Sequence, residues 1–96
     1  MLKVIYWSGQ AMATIEWKRK AVKQLLKLDK KVQPSITSAV DALADYHNAR
    51  NVKPLSNHQY DYRLRVGHYR VLFDVVNDVV EIVLIQEVKK RDENTY

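Results

Sequence analysis

The sequence predicts an α+β fold: an N-terminal strand and an antiparallel helical hairpin packed on one face of a small twisted antiparallel β-sheet. Three observations predict it. The C-terminal third alternates apolar and polar residues with period two, the stretch before Asn48 repeats apolar residues at helical spacing, and short turn-like breaks separate the runs. Ninety-six residues leave room for one core, and 47% hydrophobic with 28% charged residues is ordinary globular composition.

Met1 to Ala11 stands apart. Leu2 to Trp7 reads as a short strand and Ser8-Gly9-Gln10 as a break, so the segment is either an edge strand or an added arm. Ala13 to Trp17 alternates and reads as the first strand of the domain. Lys18 to Asp29 is helical in pattern, with Ala21, Val22, Leu25, Leu26 and Leu28 as its apolar stripe and lysines around it. A second helix is expected from about Val32 to Asn48. Pro34 sits where a first turn tolerates it, and Val32, Ile36, Val40 and Leu43 recur at helical spacing. A polar loop, about Ala49 to Gln59, carries the breakers Pro54 and Asn57.

The remainder reads as a β-meander. Tyr60, Tyr62, Leu64 and Val66 alternate with Asp61, Arg63 and Arg65, and Gly67-His68 suits a two-residue turn because glycine takes positive φ without steric cost. Tyr69, Val71, Phe73 and Val75 continue the apolar face. A tight turn at Asn77-Asp78 would place Val80, Ile82 and Leu84 on it too. With two-residue turns, Arg65 lies opposite Arg70 and Arg63 opposite Leu72. The same rule pairs Val76 with Val79, Arg70 with Ile85 and Asp74 with Glu81.

Composition excludes several classes. Without cysteine there is neither a disulfide framework nor a thiolate metal site. No apolar run approaches the roughly 18 residues of a membrane span. A soluble, cytoplasmic protein with no membrane partner is expected. His47, His58 and His68 have no spacing suited to zinc, and neither a glycine-rich phosphate loop nor a Ser/His/Asp pattern is present. No metal and no cofactor are expected.

The charge is informative by its placement. Sixteen Lys plus Arg against eleven Asp plus Glu give a net charge of +5, a balance that favours encounters with polyanions. Arg63, Arg65 and Arg70 gather on the sheet face away from the helices. Guanidinium groups bind phosphate oxygens in pairs, whereas a solvated outer face would also carry charge. The tail from Lys89 and Lys90 through Arg91 to Tyr96 adds cations and an aromatic that could stack on a base. His68 is the one histidine close in sequence to Arg70 and is a candidate acid or base; a turn-surface role is the plainer reading for all three. Glu81 and Glu87 have the parity of Arg70 and read as charge partners.

These features resemble the RelE/ParE superfamily of toxins from bacterial type II toxin–antitoxin systems, in its RelE-like branch. The resemblance spans Met12 to Tyr96. It is carried by Ile15-Glu16-Trp17 running into Lys20–Leu28, by Lys53-Pro54-Leu55, by the hairpin Tyr62–Phe73, and by Lys90-Arg91 with Tyr96. It implies a single RelE-like domain over 12–96, of the RelE-like microbial RNase fold, with residues 1–11 as an N-terminal extension. It further implies a metal-independent endoribonuclease acting on mRNA in the ribosomal A site, beside 16S rRNA. In such a toxin Arg70, Arg91 and Tyr96 would be catalytic, and Arg63, Arg65, Lys89 and Lys90 would hold RNA. Arginines stand here where lysines often serve in that branch. A cognate antitoxin, acidic in its binding segment, is the implied protein partner. The alternatives are a ParE-like inhibitor of DNA gyrase with the same fold and no RNase activity, and an RNA-binding or antitoxin-docking module without catalysis.

Overall fold

The structure is a computed structural model and describes residues 12–77 and 79–91. Five strands form one sheet in the order β1-β5-β4-β3-β2, with β1 Thr14–Trp17, β2 Val52–Pro54, β3 Tyr62–Val66, β4 Tyr69–Asn77 and β5 Glu81–Lys90. The expected antiparallel sheet is therefore mixed: β1 lies parallel to β5, and every other pair is antiparallel. β2 was hidden inside the expected polar loop. Its three residues carry no alternation long enough to read, and the positive φ of Asn51 (65°) just before it turns the chain into the sheet.

Two helices cover one face. α1, Arg19–Leu26, buries Ala21 and Leu25; Leu26, expected in the apolar stripe, is 64% exposed. It shares the helix with the stripe but lies a turn-quarter off it. α2, Gln33–Asp41, starts with Pro34 in its first turn and continues into a 3-10 segment, Ala42–Asn48, kinked at Asp45. Ile36, Val40 and Leu43 are fully buried against Val71, Phe73, Val83 and Ile85. Tyr62 stacks on Phe73 with centroids 5.2 Å apart and meets the edge of Tyr46 at 5.9 Å. Among the described residues no helix is long and apolar enough to cross a membrane. Residues 1–11 and Asp78 of the expected tight turn lie outside the described residues.

The β3–β4 hairpin has the predicted register: Val66 opposes Tyr69, Arg65 opposes Arg70 and Arg63 opposes Leu72. Gly67 takes φ +57° in its turn, with open space around the site of a Cβ. A side chain there meets only the left-handed backbone penalty. Gly67→Ala should lower unfolding free energy by about 1 kcal/mol in a urea titration, and Gly67→Asn by less.

The β4–β5 register differs from the expected one. Asn77 opposes Glu81, so Val75 faces Val83, Asp74 faces Leu84 and Phe73 faces Ile85. The offset from the two-residue turn is odd, and an odd offset turns every side chain to the other face. Val83 and Ile85 fill the core, while Val79 is 96% exposed. The sequence permits either choice because β5 is apolar on both parities. A register shift then falls between Leu72 and Phe73, opposite Gln86, so that Leu72 faces Glu87, Val71 faces Val88 and Arg70 faces Lys89. This β-bulge reverses parity within the strand.

Candidate anion-binding face

Alternation from the hairpin register places Arg63, Arg65 and Arg70 on the sheet face that the helices leave uncovered. Two cross-strand rows result. In the first, Lys53, Arg63, Leu72 and Glu87 stand side by side on β2, β3, β4 and β5. In the second, Arg65, Arg70 and Lys89 occupy three adjacent strands. Directly opposed like charges destabilise a sheet, here at Lys53–Arg63, Arg65–Arg70 and Arg70–Lys89. Arg63 Nε is buried with no hydrogen-bond partner among the described residues. A multivalent anion laid across the rows would relieve the repulsion and meet planar, permanently charged donors.

The bulge brings Lys89 to this face. Lys90 faces Tyr69 and belongs to the opposite parity, so the two lysines of the tail diverge. The Arg91 backbone N–H donates to the carbonyl of His68 at 2.6 Å, which ties the start of the tail to the β3–β4 turn. His68 is exposed in that turn. Tyr96 lies outside the described residues. His58 Nδ1 accepts the Tyr60 backbone N–H at 3.0 Å, and His47 lies 3.9 Å from Glu81, so both have local roles.

The two glutamates separate. Glu81 turns to the helix side, where it accepts the Tyr46 hydroxyl proton at 2.8 Å; it does not share the face of Arg70. Burial and that hydrogen bond push the Tyr46 phenol up to about 12. Glu87 lies on the open side, only 5% exposed. Its Oε2 accepts the Tyr60 hydroxyl at 2.7 Å, and its Oε1 accepts Gln24 Nε2 at 3.2 Å. Lys20 Nζ stands 3.4 Å and Lys89 Nζ 3.8 Å from Oε1. Burial alone would push the Glu87 carboxyl up. The Tyr60 and Gln24 hydrogen bonds and the charges of Lys89 and Lys20 together outweigh it and hold the pKa below the usual carboxylate value. Tyr60 is pushed up to about 12 by its hydrogen bond to Glu87, then by burial, so it keeps its proton and acts as a donor.

Of this cluster only Glu87 was legible beforehand, as a charge partner with the parity of Arg70. Tyr60 was expected on the helix side, but β3 begins only at Tyr62, and Tyr60 precedes it in a loop whose Asp61 N–H bonds to the Asp74 carboxylate. Gln24 reaches the β5 edge beyond its pairing with β1, where its Oε1 accepts the Val88 N–H at 2.7 Å. Lys20 read as part of a solvated helix. Lys53 was missed because β2, whose register sets it beside Arg63, was itself unreadable.

The depressed Glu87 pKa has a definite sign. A carboxyl lowered in the folded state adds stability above its unfolded pKa, near 4.3, and that stability is lost as pH falls through the folded value. Glu87→Gln should flatten the acid limb of unfolding free energy against pH below about 5, measured by urea titration. Among the described residues no group of three or more His, Cys, Asp or Glu could hold a metal ion.

Comparisons with known proteins agree on the architecture. The sequence model described as ParE toxin of type II toxin-antitoxin system, parDE, matches residues 15–94. A search of curated proteins finds no match. Among solved structures, the RelE-RelB complex from Pyrococcus horikoshii contains a chain 26% identical at TM-score 0.69, covering 85% of this chain and 98% of that one. The toxin-antitoxin complex RelBE2 from Mycobacterium tuberculosis gives 24% identity at TM-score 0.69, covering 83% and 99%. A double arginine mutant of the Escherichia coli toxin RelE in the free state gives 20% identity at TM-score 0.65, covering 90% and 88%. The last two attest the shared fold: two helices on a five-stranded mixed sheet.

Proposed function

This chain belongs to the ParE toxin family of type II toxin–antitoxin systems, within the RelE/ParE superfamily; we propose that it is a toxin acting as an mRNA endoribonuclease on the ribosome. The observation that carries the reading is the row Arg65–Arg70–Lys89, three cations on three neighbouring strands of the face that the helices leave uncovered. A phosphodiester chain is the polyanion that such a row fits.

In this reading the ribose 2′-oxygen attacks the adjacent phosphorus. The 2′-O–P bond forms and the P–O5′ bond breaks, leaving a 2′,3′-cyclic phosphate and a 5′-hydroxyl. The proton leaves the 2′-hydroxyl and one is returned to the 5′-oxygen. Arg70 and Arg91 stabilise the charge that develops on the phosphorane, which is where preorganised donors contribute most. Arg63, Arg65 and Lys89 hold the flanking backbone; Lys90, on the opposite parity, is left out of this face. Tyr96 and His68 are the candidate proton carriers. Tyr60 is not one, since a phenol raised to about 12 and donating to a carboxylate does not release its proton near neutrality. No metal enters the scheme.

A cognate antitoxin is the proposed protein partner, since structural neighbours are toxins seen in complexes with RelB antitoxins. A cytoplasmic site of action follows from ribosomal RNA as target. The family match itself favours a second reading, inhibition of DNA gyrase without RNA cleavage. Primer extension on a translated message, run beside a gyrase supercoiling assay, separates the two. Fragments with 2′,3′-cyclic ends and normal supercoiling are expected. Intact message with blocked supercoiling would establish the second reading.

A further inference from the structure

Glu87 is the one buried charged side chain among the described residues, and its setting does more than neutralise it. Tyr60 and Gln24 already give each carboxylate oxygen a hydrogen bond. Two ammonium groups nevertheless converge on Oε1, and both stay open to solvent: Lys20 is 64% and Lys89 46% exposed. Lys89 stands next to Arg70 in the cationic row, and Lys20 shares its oxygen. The row therefore continues past the β5 edge onto α1.

Lys20 is also held against its own helix. It sits in the first turn of α1, which carries no acidic residue, where the positive end of the helix dipole disfavours a cation. Glu87, supplied by the sheet, is what compensates it. Lys23, on the same helix, makes no such contact among the described residues. An ordered, half-solvated ammonium beside a row of arginines is a ready partner for one more phosphate oxygen.

We propose that Lys20 contacts the RNA sugar–phosphate backbone and that Glu87 is the positioning residue that holds it in line with Arg70 and Lys89. This rests on the RNA-facing reading of that row. Glu87 touches no substrate; it acts through the two lysines.

The test is binding of a short 2′-O-methyl RNA oligonucleotide, which cannot be cleaved, followed by fluorescence anisotropy over a range of salt. Lys20→Met should weaken binding several-fold and lower the salt slope by about 0.7, the value of one single-strand phosphate contact. Lys20→Arg should retain most of the affinity. Lys23→Met, an equal loss of charge on the same helix, should cost much less. In a Glu87→Gln background, Lys20→Met should cost little further, because the two side chains act as a unit. Equal effects of Lys20→Met and Lys23→Met, or an unchanged Lys20→Met penalty in Glu87→Gln, would overturn the proposal. Arg70→Ala in the same assay carries the underlying reading. If it leaves binding intact, the RNA-facing row is wrong; if it weakens binding while Lys20→Met does not, only the present inference fails. Lys20 is exposed, so its variants fold, and circular dichroism verifies this for all of them.

Discussion

Arg70→Ala should abolish cleavage of translated message, lowering the rate by about 10² to 10³ while leaving the fold intact. The residue sits at the centre of the all-cationic row, with Arg65 on one side and Lys89 on the other. In the proposed mechanism a phosphorane would form above it, and truncation would remove the pair of donors that a guanidinium offers. Arg70→Lys restores charge without the planar fork and should recover only part of the rate. The measurement is single-round primer extension with ribosomes and a defined message, with melting curves run in parallel. Cleavage at the wild-type rate in Arg70→Ala would remove this residue from the site.

Phe73→Ala should be the most damaging single change to stability. Phe73 is fully buried, stacks on Tyr62 and faces Ile85 across the sheet. Large-to-small replacement of a buried phenylalanine costs about 3–5 kcal/mol, against a whole-domain stability of about 5–15 kcal/mol. For a chain of this size the melting temperature should fall by roughly 12 °C or more, readable by far-ultraviolet circular dichroism. Phe73→Leu, which keeps much of the volume, should lose considerably less. A fall of only a few degrees in Phe73→Ala would mean that the centre of this core lies elsewhere.

How much of this was legible in the sequence follows the physics of each element. The Tyr62–Tyr69 hairpin could be read to the residue, because one face is apolar, the other is arginine, and Gly67 fixes the turn. α2 was legible from the spacing of Ile36, Val40 and Leu43. β5 was not. Its apolar residues occupy both parities, so turn length alone decides which set is buried, and nothing local announces that Asn77 will face Glu81. Consequently Arg70 was matched with Ile85, and its neighbour Lys89 was reached only through the tail's composition. The buried carboxylate cluster was out of reach for a different reason. Gln24, Tyr60 and Glu87 meet across separations of 27 and 63 residues, and no periodicity records a contact of that kind. Lys20 looked like any other lysine of a basic helix until Glu87 was seen beneath it.

The extra residue at Gln86 gives the C-terminal segment an unusual sensitivity. Ahead of it, β5 turns Val83 and Ile85 inward; behind it, the chain shows Glu87 and Lys89 outward. Which chemical groups follow is thus governed by the number of residues in the strand rather than by their kinds. A substitution at Gln86 would leave that order alone. Loss or gain of a single residue there would send Glu87 and Lys89 inward and Val88 and Lys90 outward, exchanging a cationic surface for a charged interior in one step.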